Sequence, residues 1–359
     1  MKPKVAIIYL CYNNLRHMPE VISSIAKLDY PKESMSFIMI PNNSPDGIAD
    51  VIVKDVLPRS LKDLPEVILM DDGVNHGFAK GNNIGVRWAL ERDFDYVFLH
   101  NGDLKLHQMA VTELVEMMES DKNIGSAQSL VLYWKKPDIV NVAGGQFHVA
   151  GYGFGNGNLS RLEDMKIQNG QEVTYSSGAA VMYRSSALKE VGLLEEGFFM
   201  YHEDLELGLR LRFAGYKNVL NSTSLAFHDY SFSRNPKKFA WTELYRWVVV
   251  LSYYKLATLM VLAPLLLLIE IGTWFMALMG GWLGAKLWAY KEMLRPRTWK
   301  LIWNIRRRAQ TLRVIRDKEL LRHVVGTIEA QETSNWIVDY FANPIINLWW
   351  RAARFIIIW

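Results

Sequence analysis

The chain has 359 residues, half of them hydrophobic, with 13 Trp, one Cys and a formal net charge of +4. That length allows one large domain with additions, or two domains, and a single cysteine, Cys11, excludes an intrachain disulfide framework. Residues 1–230 carry 22 Lys and Arg against 29 Asp and Glu, net −7, whereas residues 231–359 carry 19 against 8, net +11; this basic charge lies beside apolar runs rather than in a soluble basic domain, so it points to an anionic membrane surface and away from nucleic acid.

The N-terminal stretch MKPKVAIIYLCYNNL has no small-residue cleavage site, so no secretory signal is expected. Val5 to Leu10 is a short β-branched run, read as a strand, and Asn13 and Asn14 follow it. MPEVISSIAKL reads as a helix. Phe37 to Ile40 is a second strand, ending in the turn-rich PNNSPDG. VILM (67–70) is a third, ending in DDGVNHG. GNNIGVRWALERD reads as a helix, and DYVFLHNGD as a strand that ends in an acid. Short buried strands alternating with helices predict a mainly parallel α/β sheet with crossover helices. In such sheets ligands sit beyond the carboxyl ends of the strands. The polar clusters at Asn13/Asn14, Asn42/Asn43, Asn75 to Gly77 and Asn101 to Asp103 all fall there. Each alone is ordinary turn chemistry; four at equivalent edges point to a site.

Residues 144–158 (GGQFHVAGYGFGNGN) read as a flexible glycine-rich loop. No GxGxxG follows the first strand and there is no P-loop, which argues against a dehydrogenase or an ATPase. YSSGAAVMY (175–183) reads as a strand entered through small residues, which allow close approach of a ligand or backbone. Ser185 to Val191 reads as a helix. FFMYHEDLELGLRLRFAGY (198–216) then places Glu203, Asp204 and Glu206 just after an aromatic run. Two readings stay open from the residues alone. One is a solvated helix start, with acids favoured by the macrodipole and a Glu206–Arg210 i,i+4 pair. The other is a carboxylate held in a cleft as a base. Arg210 and Arg212 do not share a helix face, so at most one is expected to reach a site.

Beyond Trp247 the character changes. Leu256 to Ile269 is apolar, Glu270 interrupts, and Ile271 to Ala285 is apolar again. A spanning helix needs ~20 apolar residues, so this block is long for one span and short for two. Pro264 and Gly280/Gly281 are candidate kinks. Arg234, Lys237, Lys238 and Arg246 precede the block, and Lys286, Lys291, Arg295, Arg297 and Lys300 follow it. Positive charge on both flanks predicts that both lie on one side of a membrane, as a re-entrant hairpin or an interfacial helix pair; a fully buried helical core of a soluble protein is the alternative reading. The tail NPIINLWWRAARFIIIW mixes Trp, Ile and Arg as interfacial anchors do, with Trp349, Trp350 and Trp359 expected at headgroup level and Arg351 and Arg354 towards phosphate.

Asp103, Asp204 and His228 are the chemistry-bearing candidates. An acid and a histidine can share a divalent cation, which would neutralise a diphosphate leaving group. Asp204 could take the proton of an attacking hydroxyl.

On these motifs (VAIIYLCYN, NNSPDG, NHGFAKGNNIG, DYVFLHNGD, SGAAVMYR, VGLLEEGFFMYHEDLELGLRLRFAGY and FHDYSFS) the chain resembles the inverting nucleotide-sugar glycosyltransferases of family two, with the A-type transferase fold. The subgroup it resembles is rhamnosyltransferase-like and bacterial. The resemblance covers roughly residues 1–232 and implies a Rossmann-like, mostly parallel sheet with flanking helices. It implies a catalytic domain at 1–232, an apolar membrane-associated segment at 233–300 and basic amphipathic helices at 301–359. The family's Glu-Asp pair falls on Glu203 and Asp204, with Asp204 the base. Its metal motif falls on Asn101-Gly102-Asp103, where only Asp103 keeps an acid, and its late histidine falls on His228. Donor contacts are implied at Tyr12, Asn13, Asn42, Asn43, Gly77, Phe78, Lys80, Asn82, Asn101 and Gly178. Pro41 departs from the family, which has an acid there to contact the donor base.

The implied activity is transfer from a nucleotide-diphospho-sugar, aided by Mg2+ or Mn2+, to a membrane-bound, lipid-linked or polysaccharide acceptor. The implied location is the cytoplasmic face of a bacterial inner membrane, in contact with membrane lipids and without nucleic acid. A homo-oligomer is left open. The competing reading is an inactive homologue acting as a membrane scaffold, motivated by Pro41 and the missing first metal acid.

Overall fold

A computed structural model describes residues 2–230, 236–328 and 338–359. The chain forms two compact units: Met1–Gly145, Gly155–Leu211 and Tyr216–Ser231 in the first, and Gln146–Phe154, Arg212–Gly215 and Phe232–Trp359 in the second.

The first unit begins β1 (Val5–Leu10), α1 (Met18–Ala26), β2 (Met35–Ile40), a single turn α2 (Ile48–Val51), β3 (Glu66–Leu69), α3 (Gly77–Leu90) and β4 (Tyr96–Asn101). These are the β-branched runs and amphipathic stretches expected from the sequence. In α1, Val21, Ile22 and Ile25 are buried, and in α4 (Ala110–Ser120) Val111, Leu114, Val115 and Met118 recur at helical spacing and are buried too. Strands β1, β2, β3 and β4 pair in parallel in the order β3-β2-β1-β4. The register matches Leu10 to both Ile40 and Asn101, so the carboxyl ends of three strands are level.

The other half of the sheet is mixed. It contains β5 (Leu104–Leu106), β6 (Ile124–Tyr133), β7 (Lys136–Val142), β10 (Ala180–Arg184) and β11 (Lys217–His228). Strand β10 runs antiparallel to both β4 and β6, β6 is parallel to β11, and β5 is antiparallel to β11. Helices α5 (Ser185–Val191) and α6 (Glu203–Phe213) lie between β10 and β11 in sequence. The sheet's apolar face packs Val5, Ile7, Tyr9, Phe37, Met39 and Phe98 with residues of α1 and α4 in one cluster.

The glycine-rich segment is ordered rather than a loop: β8 (Gly145–His148) and β9 (Gly153–Gly155) join β12 (Val324–Val325) in a small sheet of order β12-β8-β9. The rest of the second unit is helical: α7 (Pro236–Tyr253), α8 (Leu256–Met279), α9 (Leu283–Met293), α10 (Pro296–Leu312), α11 (Asp317–Leu320) and α12 (Asn343–Ile356). Helix α8 is long and apolar enough to cross a membrane by length and composition. Pro264 lies inside it, and Gly280 caps its end.

Three expectations for this unit are corrected. Arg246 and Lys286 do not flank the apolar block as exposed charges. Both are buried, and they share Glu243 and Glu270 in a four-residue ionic cluster, with Arg246–Glu243 at 2.9 Å, Arg246–Glu270 at 2.5 Å, Lys286–Glu243 at 2.9 Å and Lys286–Glu270 at 2.7 Å. Glu270 interrupts the apolar run because it is the counter-charge for both cations. Trp350 is only 2% exposed and packs on Gly326, so it is a core residue, not a headgroup anchor. Trp359 is half-buried and donates to Thr258 Oγ1 at 2.9 Å. Arg234 and the last three residues of the FHDYSFS motif fall outside the described residues.

Candidate active site

The level strand ends of β1, β2 and β4 carry the asparagine clusters. Asn13, Asn42 and Asn43 all have positive φ, near 50°, a conformation asparagine tolerates better than other side chains. The turns are tied to one another. Asp46 accepts from Ser44 Oγ at 2.7 Å and Leu15 N–H at 2.8 Å, while Ser44 Oγ accepts from Asn13 N–H at 2.8 Å. Burial works against the charged Asp46 carboxylate, but these donors outweigh it and hold its pKa below the ordinary range.

Asn42 is buried and spent on structure: its Oδ1 accepts from His76 N–H at 2.8 Å and its amide reaches Asn75 Oδ1 at 3.3 Å. Asn43, Tyr12, Asn13 and Lys80 are exposed at this edge. Asn82 is buried on α3 and donates back to Phe78 O at 3.0 Å.

Gly77 opens α3 with φ 71°, and a Cβ there would lie 2.5 Å from Phe199 O. That contact is the junction with the aromatic loop, since Phe78 N–H donates to Phe199 O at 2.9 Å. The FFMY run therefore holds its loop against the NHG turn. Tyr201 and His202 both take left-handed backbone conformations, with φ 70° and 68°. Two consecutive such residues are costly and concentrate at functional sites. They turn the chain so that α6 starts at Glu203.

At that start the two carboxylates differ. Asp204 is half-buried; its Oδ2 accepts from Gly178 N–H at 3.0 Å and its Oδ1 from Leu205 N–H at 2.8 Å. Burial raises its pKa, and the two N–H donors offset part of that rise. Glu203 is buried, and its Oε2 has no hydrogen-bond partner among the described residues. Burial first, then the charge of Asp204, pushes the Glu203 carboxyl well above the carboxylate range. Desolvation disfavours the charged form of both carboxyls; the Gly178 and Leu205 N–H donors favour the carboxylate at Asp204, whereas Glu203 Oε2 has no such donor among the described residues. Phe78 packs against Gly178 beside the Asp204 side chain.

The Glu206–Arg210 pair forms, but it is fully buried rather than solvated. Arg210 also donates to Val191 O at 2.9 Å and Leu193 O at 2.8 Å. It fixes the turn after α5. Arg212 is buried as well and belongs to the second unit.

Asn101 N–H donates to Ala179 O at 3.0 Å, which joins the end of β4 to the SGA entry of β10. Gly102 is clamped: Tyr9 OH donates to its carbonyl at 2.9 Å, and any Cβ there would overlap Asn14 Nδ2. The clamp presents Asp103, whose Oδ1 lies 2.9 Å from His228 Nε2. Residues 125 positions apart in sequence are thus in direct contact. Burial pushes the Asp103 carboxyl up, but the hydrogen bond to His228 outweighs it and holds it below its ordinary value. His228 Nδ1 lies 2.9 Å from Asn141 Oδ1. Asn141 thus holds one ring nitrogen of His228 while the other faces the Asp103 carboxylate. Sequence reasoning named Asn14 only as part of a strand-end cluster and did not single out Tyr9, Asp46 or Asn141. Tyr9 and Asp46 lay inside quoted motifs; nothing in the pattern around Asn141 marks it.

Against known proteins, a family profile described as "Glycosyl transferase family group 2" matches residues 96–305. Low-salt glycan biosynthesis hexosyltransferase Agl10 of Haloferax volcanii is 28% identical over 46% of this chain. The chain spans about half of that relative, 54% of its length. Rhamnosyltransferase WbbL of Escherichia coli is 24% identical over 66% of this chain and 91% of the relative. Among solved structures, the mannosyltransferase PcManGT from Pyrobaculum calidifontis, in complex with GDP-Man and Mn2+, superposes with a TM-score of 0.53 at 14% identity, covering 87% of each chain. That likeness bears on the fold, which is the A-type transferase architecture expected from the motifs.

Proposed function

The chain belongs to glycosyl transferase family group 2, and from that membership we propose that it moves a sugar from a nucleotide-diphospho-sugar to a hydroxyl of a membrane-bound, lipid-linked or polysaccharide acceptor. The observation that carries this reading is Asp204, a carboxyl fixed by two backbone N–H groups with a second, buried carboxyl next to it in sequence. A base must be positioned and must have a pKa close to its working pH, and burial raises that of Asp204. In the proposed step the acceptor oxygen bonds to the anomeric carbon as its proton passes to Asp204. The bond from that carbon to the diphosphate breaks, and its electron pair leaves with the nucleoside diphosphate. A single displacement of this kind inverts the anomeric centre.

Asp103 and His228 are the residues that would hold Mg2+ or Mn2+. The hard carboxylate oxygen of Asp103 suits either ion and the imidazole favours the softer Mn2+ over Mg2+, and Asn141 orients the ring from behind, as outer partners of metal ligands do. No third His, Cys, Asp or Glu joins them among the described residues. Magnesium commonly takes one or two protein ligands plus substrate phosphates and water, so a two-residue set fits a cation that arrives with the donor. When bound, the ion would neutralise charge on the departing diphosphate. In this reading the protein works at the cytoplasmic face of a membrane, where nucleotide sugars are available, with the apolar helices of the second unit in contact with lipid.

The test is a panel of uridine, thymidine and guanosine diphospho-sugars, read by nucleoside diphosphate release with and without a membrane extract as acceptor source. One donor class should release only when acceptor is present, and chelator or His228→Ala should suppress it. Absence of both donor binding and release across the panel would favour the inactive scaffold that Pro41 suggests.

A further inference from the structure

We propose that residues 271–288 form the tip of a helical hairpin that enters one leaflet of an anionic bilayer and turns back without crossing it. The inference rests on the reading that the chain works at a membrane, and it specifies how the second unit meets the lipid.

The tip carries no charge from Ile271 to Ala285. Its outward residues are large and uncovered: Ile271 is 61%, Phe275 59%, Leu278 62% and Met279 72% exposed. The charges at its base are turned inward. Glu270 meets Arg246 and Lys286, Lys286 also donates to Thr273 Oγ1 at 2.6 Å, and the Trp274, Trp282 and Tyr290 rings surround its ammonium group. The ionic cluster thus closes the hairpin and leaves its lipid-facing side apolar. Charged groups at membrane depth normally face a protein interior and pair with one another.

The length of α9 sets the depth. Helix α8 has 24 residues and would reach ~36 Å if upright, enough to cross a hydrocarbon core of ~30 Å. Helix α9 has only 11 residues, a rise of ~16 Å. Within that rise the chain reaches exposed Lys291, followed at once by exposed Arg295 and Arg297, which share the buried Glu292 carboxylate, and by exposed Lys300. A tip placed in the far headgroups would leave four cations matched by one carboxylate at mid-core, with Lys291 and Lys300 facing hydrocarbon, where charge is most costly. A tip about half a core deep puts them among the phosphates instead. Helix α8 then enters obliquely, which also covers its exposed Met260, Leu267 and Leu268. The cations at this level favour an anionic lipid surface over a second protein copy.

The test uses the full chain with Cys11→Ser and one added cysteine, Leu278→Cys or Lys291→Cys, carrying a bimane probe. Vesicles of phosphatidylcholine and phosphatidylglycerol contain nitroxide lipids labelled either deep in the acyl chain or at the headgroup. We expect the 278 probe to be quenched severalfold more by the deep label and the 291 probe by the headgroup label. An impermeant quencher trapped in the lumen should reach neither. Lumenal quenching at 278 would show a crossing; headgroup quenching at both sites would show a helix pair lying flat; no quenching at either would show the face covered by protein. Any of these overturns the proposal, as does equal binding to vesicles without phosphatidylglycerol. Folding of each variant is checked by its circular dichroism and unfolding transition in detergent. Donor turnover is measured separately, so loss of the proposed chemistry leaves the depth readout standing.

Discussion

Glu203 and Asp204 are adjacent, yet one is buried with an unpartnered oxygen among the described residues and the other is held by two backbone N–H groups. Their difference gives a signed stability prediction. The folded-state pKa of Glu203 is raised by burial and by Asp204. Its favourable contribution is therefore complete below the unfolded carboxyl value, near pH ~4.3, and is lost as pH rises towards the folded value. Each unit of that rise corresponds to about 1.4 kcal/mol. Glu203→Gln should remove this dependence and stabilise the protein at about pH 8 relative to about pH 4. Denaturation midpoints that fall in parallel with pH for both proteins would show that Glu203 ionises freely. A second residue-scale prediction concerns Gly77. Its φ of 71° and the 2.5 Å approach to Phe199 O leave no room for a Cβ, so Gly77→Ala should cost about 2–3 kcal/mol and loosen the aromatic loop. An unfolding free energy within error of the parent would refute that. The acids and His228 were legible because each sits in a recognisable motif. The clamp of Tyr9 and Asn14 on Gly102, and Asn141 behind His228, were not, because they act through contacts remote in sequence.

Elements divide by how they bury their polar groups. Strands β1, β2 and β4 are near-continuous apolar runs and could be read directly. Strands β6 and β11 carry buried Ser126, Gln128, Ser129, Asn218 and Ser224, which breaks the apolar signature. The structure satisfies these groups across the sheet: Ser126 Oγ lies 2.8 Å from Ser176 Oγ and from Asn218 Oδ1, and Ser129 Oγ 2.7 Å from Ser224 Oγ. The same blindness to partners made Arg246 and Lys286 look like membrane flanks. Their cluster with Glu243 and Glu270 joins α7, α8 and α9. Removing one member of a buried ionic set leaves uncompensated charge and typically costs about 3–5 kcal/mol. Lys286→Met should therefore destabilise the helical unit by that amount in detergent, measured by its thermal transition. A change below ~1 kcal/mol would mean that the cluster behaves as a solvated surface pair.

At the scale of the whole chain, an acidic first part is followed by a strongly basic, apolar second part, and the chain forms two compact units. The fold of the first unit positions every strand-end motif at one edge, as a parallel half-sheet with level strand ends requires. The mixed half of the sheet supplies what the parallel half lacks: His228 from the end of β11 and the Gly178 N–H that anchors Asp204. The central claim is that this anchored carboxylate takes the acceptor's proton. Asp204→Asn keeps the size of the side chain and removes the base, so the most direct measurement is sugar transfer by that variant beside donor affinity measured by titration. Asp204→Asn is expected to lose ~10²–10⁴-fold in transfer with donor affinity nearly intact. Transfer equal to that of the parent protein would contradict it.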